Sequence, residues 1–408
     1  MKNIILTSLL ISIVAFYSCK EKVTNPPVTA LPEGYQQDVP WPSLADSPWP
    51  MNHHDPQNTG RAKISGPVAG LLDWEISNYY THTGISIGQD SSLFITTSGL
   101  AFLHALNNNG SLKWTFNLNA IETSTTPLID KDNTVYVCAL WPGQLFAVNS
   151  EGKLKWKYLI TKTIATQSVS IGLDGMIYLL AEDELISIKP NGELNWKIAN
   201  LPLVGGFSYL TFSTKGDFIY LIGTRPALIA IDINKKEIGW EFKNSYDGKD
   251  VLVDANDNIY LLAYSDSINA NNPTLFSLNK AGKLRWNFNH NNIKLNNYCG
   301  NPTMDKNGNF YFAYDTLYSV DYNGQLRWKM AMNGQVESPL ISDINNNLFV
   351  TVGNNSMFRE VRSINVSGSI NWSLPIENTQ LVGFSAAIGY NSRLYVPSFI
   401  GQKIFCIK

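Results

Sequence analysis

A ten-residue phrase recurs along this chain and constrains its fold more than any other feature. Ala147–Trp156 reads AVNSEGKLKW: an apolar strand end, a tight turn on glycine, and a second strand that closes on tryptophan. It returns as Ala105–Trp114 (ALNNNGSLKW), Ser187–Trp196 (SIKPNGELNW), Ser277–Trp286 (SLNKAGKLRW), Ser319–Trp328 (SVDYNGQLRW) and Ser363–Trp372 (SINVSGSINW). The copy at Ala230–Trp240 (AIDINKKEIGW) is one residue longer and has no turn glycine. Such repetition defines a repeat architecture before composition is considered.

The marker tryptophans are Trp74, Trp114, Trp156, Trp196, Trp240, Trp286, Trp328 and Trp372, at successive spacings of 40, 42, 40, 44, 46, 42 and 44 residues. That period, with strand-rich content, matches four-stranded propeller blades. Each interval carries a compact polar turn (DKDN, LDG, TKGD, ANDN, KNG, INNN) before a short β-branched or aromatic strand such as TVYVCAL, MIYLLA or NFYFAY. Asn, Asp and Gly accept the left-handed backbone that such turns need. The tail beyond Ser373 supplies three strands (FSAAIG, RLYVPSF, KIFCIK) and stops before its own tryptophan strand. The missing strand stands at the other end, in Val68–Ile76 around Trp74. The reading is all-β: an eight-bladed propeller of four-stranded antiparallel blades over 68–408, its last blade closed by an N-terminal strand, which removes the free sheet edges. A tryptophan repeated on each outermost strand is expected to pack between blades. Burying about 150–250 Å² of its surface contributes on the order of 4–6 kcal/mol before entropy.

Residues 49–67 form a lead-in segment, WPMNHHDPQNTGR followed by Gly66-Pro67. Its order, W-P-x(4)-D-P-x-x-T-G-R and then G-P, resembles the approach to the first blade in propellers of the pyrroloquinoline-quinone (PQQ)-like repeat family. The repeated phrase also resembles the tryptophan-docking motif of that family's quinoproteins, A-x-[DN]-x-x-T-G-x-x-x-W. Ala105, Asn107, Gly110 and Trp114 match in type, as do Ala147, Asn149, Gly152 and Trp156. Six of the seven copies are one residue shorter and lack the threonine before glycine, a departure from the enzyme branch. In the lead-in segment, His53-His54-Asp55 is read as structural. Neighbouring side chains diverge on an extended backbone, and no further His or Cys lies nearby to complete a zinc set. His82, His104 and His290 are isolated and read the same way.

The N-terminus reads as an address. Met1-Lys2 precedes an apolar run from Ile4 to Phe16, too short to span a bilayer and suited to a signal-peptide core over residues 1–18. Phe16-Tyr17-Ser18-Cys19 resembles a bacterial lipobox, which implies lipidation of Cys19 and anchoring to the outer membrane, on its periplasmic or its surface side. About 0.8 kcal/mol per buried lipid CH₂ makes several chains on one cysteine a firm anchor. Residues 19–48, rich in proline and polar residues, read as a tether without fixed structure. Cys138, Cys299 and Cys406 lie on or beside strand-like runs, where a buried thiol is the default; a disulfide among them is compatible with an oxidising compartment, and the sequence does not pair them.

A formal net charge of −2 and the lack of any basic run exclude a nucleic-acid footprint. The turn residues Asp130, Asp174, Asp254, Asp305 and Asp343 fall one per blade, so they cannot converge as a catalytic pair. Asp254-x-Asn256-x-Asn258 lacks the glycine and distant glutamate of a calcium loop, and no nucleophile-elbow, zincin or phosphate-loop motif occurs. The family's PQQ- and calcium-dependent dehydrogenases are the alternative reading, but the chain has no adjacent cysteine pair to lie against a quinone and its blades leave no room for long insertions. No enzyme activity, cofactor or metal is therefore expected. The expected function is that of a monomeric cell-envelope scaffold, similar to the propeller lipoproteins of the outer-membrane β-barrel assembly machinery. Its protein or saccharide partner is expected on the variable-loop face (TSGLA, Trp141-Pro142, Arg225-Pro226, Tyr264–Pro273, Asn354–Glu360), with Tyr79, Tyr80, His82, Trp141, Arg225, Tyr264 and Arg359 as candidate contacts.

Overall fold

In a computed structural model of the chain, the described residues are 31–123, 125–165, 168–203, 209–223, 226–243, 246–265, 273–289, 300–353, 359–376, 385–398 and 401–408. They form eight antiparallel sheets, one per repeat, and in seven of them the strands run outward in sequence order. In blades 2 and 7 the innermost strand is split into two short pieces. One 3₁₀ turn at Tyr390–Ser392 is the sole helical element among the described residues. Blades 1 to 7 occupy residues 86–117, 122–159, 170–198, 211–242, 246–289, 300–331 and 335–376. Blade 8 takes three strands from 387–407 and its outermost strand, Leu72–Ser77, from the other end of the chain. Trp74 lies opposite Cys406 and Ile76 opposite Ile404. The closure expected from the missing tryptophan strand is therefore present.

Local chemistry explains why each blade forms where it does. In blades 1, 2, 3, 5, 6 and 7 the turn after the innermost strand is held by an aspartate. Asp130 Oδ1 accepts from the amides of Asp132 and Thr134 at 2.9 and 2.8 Å, and its Oδ2 accepts from the Tyr136 hydroxyl at 2.8 Å. Asp254 and Asp305 repeat the arrangement with Tyr260 and Tyr311. These carboxylates cap turns, as their one-per-blade spacing implies. The strands that follow are buried on both faces, and reversed hydrophobic faces of neighbouring blades build the core between them.

The tryptophans clasp one blade to the next. Trp156 Nε1 donates to the Pro190 carbonyl in the turn of blade 3 at 2.8 Å, and the ring lies flat against Gly192. Gly192 has φ +89°, and a Cβ there would stand 2.7 Å from the indole. The position is thus closed to other residues by backbone conformation and by space. A register shift between Leu154 and Trp156 marks a bulge on the outermost strand beside the ring. The same donation runs from Trp74 to Asn108, Trp114 to Ser150, Trp240 to Lys280, Trp286 to Tyr322 and Trp328 to Val366. Trp372 completes the ring by donating to Pro67 at 3.0 Å, with Gly70 against its face. Trp196 is the exception: the turn that follows it in blade order is the lengthened one, with Lys236 at φ +60° where the others place glycine. Among the described residues its indole makes no such bond.

The N-terminal segment spreads over the short-turn face. Its carbonyls at Trp49, Pro50, Pro56, Gln57, Thr59 and Gly60 accept from the amides of Ile87, Ile129, Phe212, Val253, Met304 and Ser342, the ends of six different innermost strands. Here the structure corrects the expected tether. The compact unit begins at Glu33, not at residue 49. Trp41 is buried and donates to the Ile171 carbonyl at 2.8 Å, Ser43 donates to Gly172, and Leu44 bridges to Asp130. Two apolar anchors among prolines suffice to dock this stretch, because the inner turns offer it unpaired backbone groups. Cys138 and Cys406 are buried free thiols; Cys19 and Cys299 lie outside the described residues.

Replacing Trp156 by alanine should cost about 2–4 kcal/mol in a urea titration. Trp196→Ala should cost less, since its indole lacks the carbonyl and glycine partners. Equal losses would contradict the clasp.

Candidate interaction surface

Because the strands alternate in direction, the turns after the first and third strands of a blade lie on one face and the remaining connections lie on the other. The N-terminal segment bonds to residues at or beside the first set of turns. The variable connections are on the opposite face, clear of that segment.

On that open face, blades 1 and 2 bring three large apolar side chains together. Leu100 is 70 % exposed, Ile121 64 % and Trp141 66 %. They come from separate connections, and backbone pairing sets them side by side. Ala101 donates to the Ala120 carbonyl at 3.3 Å, and Glu122 lies opposite Leu140 in the sheet. The backbone at Ile121 therefore runs between the hairpins that carry Leu100 and Trp141. The expected contacts Tyr79, Tyr80 and His82 border this cluster. The Tyr80 carbonyl accepts from Ser98 at 2.8 Å, its ring meets His82 edge-on at 4.8 Å, and His82 Nδ1 lies 3.3 Å from Glu122. Tyr79 packs against His104 at 5.2 Å, whose pKa burial lowers to about 4, so that ring is neutral and structural.

Four of the expected contacts are thus brought together and three are not. Arg225 lies outside the described residues. Tyr264 belongs to a strand, Ile259–Ser265, rather than to a loop. Arg359 opens the strand Arg359–Ile364, is 8 % exposed, and pairs with Glu337 at 2.7 Å. Burial removes it from a contact surface: the strand extends into what read as loop, and a guanidinium so placed needs a carboxylate partner. Leu100 and Ile121 were not singled out by the sequence, although TSGLA was assigned to this face.

Near the centre of the ring a second polar group collects under the lead-in segment. The Asp250 carboxylate accepts from Asn58 Nδ2 at 3.1 Å and from the Val251 amide at 2.7 Å, and burial pushes its pKa up to about 7. The Tyr209 hydroxyl nearby is raised by burial and by the charge of Asp250. His53, fully buried, bonds to the Asn58 carbonyl at 3.1 Å, and burial lowers its pKa. Asp55 is held by His54 and Thr59, whose hydrogen bonds outweigh burial and leave its pKa lowered. Among the described residues no three His, Cys, Asp or Glu side chains are grouped to hold a metal. Among the described residues the Asp250 carboxylate is engaged by Asn58 of the chain's own lead-in segment, and they do not offer the six to eight oxygens that calcium takes.

No family model matches the chain, and no curated protein does. Solved structures do. BamB from Moraxella catarrhalis is 14% identical at a TM-score of 0.60, over 83% of this chain and 97% of that one. The quinohemoprotein alcohol dehydrogenase from Comamonas testosteroni is 11% identical at 0.66, over 88% and 80%. The quinohemoprotein alcohol dehydrogenase ADHIIG from Pseudomonas putida HK5 is 10% identical at 0.66, over 91% and 83%. The fold is therefore the PQQ-like eight-bladed propeller. At these identities the likeness shows the fold and leaves the activity to be argued from the site.

Asp250 yields a pH signature. Its folded pKa stands above its unfolded value of 3.8, so the stability it contributes is present below about pH 4 and lost as the pH rises to about 7. Asp250→Asn should therefore match the unaltered protein at pH 4 and melt about 2–4 °C higher at pH 8. A pH-independent difference in thermal melts would contradict this.

Proposed function

We propose that this chain is a non-catalytic scaffold of the cell envelope, lipid-anchored to the outer membrane through Cys19, that binds a protein partner on the open face of blades 1 and 2. The exposed cluster of Leu100, Ile121 and Trp141 carries the reading. Exposed apolar side chains gathered in one patch mark interaction sites, and a tryptophan bordered by tyrosines is the composition of binding hot spots. The partition of the two faces supports it, because the N-terminal segment occupies the short-turn face and leaves this one free. The similarity in fold to BamB is consistent with a scaffold.

A photo-crosslinker at position 141 should give a discrete protein adduct in intact membranes, and one at Asp132 on the short-turn face should not. Equal labelling at both positions would refute the surface. Cys19→Ser should release the chain from the membrane fraction; retention would refute the anchor. Calorimetry with PQQ and calcium should give no saturable heat, whereas saturable binding would favour a quinone-dependent dehydrogenase.

A further inference from the structure

A cavity of about 440 Å³ lies on the short-turn face, between residues 36–47 of the docked arm and the lead-in segment beneath it. Its size is that of a small-molecule pocket. Arg61 lines it and is 6 % exposed. Arg61 Nη2 reaches the Gln37 carbonyl at 3.4 Å and Asp38 at 3.6 Å, both long, and Nη1 is buried with no hydrogen-bond partner among the described residues. A buried guanidinium nitrogen without an acceptor is costly, and the neighbouring Asp55 cannot relieve it, being engaged by His54 and Thr59. The cavity beside it has room for an acceptor from outside the chain.

We propose that this cavity binds a small ligand presenting one carboxylate on an apolar stem, with the carboxylate on Arg61. The charge inventory disfavours a dianion. Arg61, Lys63 and Lys131 are balanced by Asp38, Asp46 and Asp55 in the lining, so a doubly charged phosphate would meet three carboxylates without a surplus of cations to offset them. The stem is accommodated by apolar wall residues that include Trp41, Leu44 and Pro50. Arg is suited to the task because its planar fork matches carboxylate geometry. The arm that roofs the cavity is the stretch that composition alone assigns to a loose tether, and the site exists only because that arm is docked.

Calorimetry on the full mature chain tests this with three probes: N-acetyl-L-phenylalanine, its neutral amide, and inorganic phosphate. The acid should bind saturably, roughly tenfold or more tighter than the amide, and phosphate should not compete. Equal binding of acid and amide, tighter binding of phosphate, or no saturation by about 10 mM acid would overturn the proposal. Arg61→Gln should reduce the acid to the level of the amide, and Arg61→Lys should retain part of the preference. If Arg61→Gln does not fold, footprinting locates the site in the unaltered protein. The acid should protect Lys63 and Lys131 from acetylation relative to exposed Lys243, and unchanged protection would place its binding elsewhere and overturn the assignment.

Discussion

The contact between an indole and the next blade's turn holds this ring together. Each blade is a short, twisted sheet with too little surface of its own to stand alone, and what it gains comes from its neighbours. The tryptophan spans that boundary in two ways at once. Its ring covers a turn that only glycine can make, and its Nε1 satisfies a carbonyl that the turn leaves unpaired. Because the clasp passes from blade to blade in one direction, the ring can close only if the first and last members meet. Gly70 against Trp372 and Trp74 against the turn of blade 1 are that meeting.

This closure divides the molecule into two surfaces with different chemistry. On one, the innermost strands end with amides directed at solvent, and the N-terminal segment satisfies six of them with its own carbonyls. It acts as a fixed cap, with Asn58 reaching the buried Asp250 and Arg61 lining the cavity beneath the arm. On the other, the connections vary in length and composition, and there the exposed apolar side chains of blades 1 and 2 gather. The rigid ring is what gives both surfaces their geometry.

Much of this was legible in the sequence, for a physical reason. Trp–Gly clasps and aspartate-capped turns are local devices repeated at a fixed period, so their spacing reports the blade count, the closing strand and the structural role of the aspartates. The docked arm was not legible, because Trp41 and Leu44 are lone apolar residues among prolines and their partners, Ile171 and Asp130, lie far along the chain. Arg359 was misread for a similar reason: the carboxylate that buries it, Glu337, sits on another connection. Trp141 was recognised alone, while Leu100 and Ile121 are brought near it only by the pairing of the connection between blades 1 and 2 with a hairpin of each blade.

The central claim is that indole and turn glycine act as one unit. A double-mutant cycle of Trp156→Ala and Gly192→Ala, followed by urea unfolding, measures this directly. The account predicts that Gly192→Ala costs clearly less once the indole is gone, with a coupling of about 1–2 kcal/mol. Losses that add to within about 0.5 kcal/mol would mean that the two residues act independently, and the clasp would not be what holds the blades in their ring.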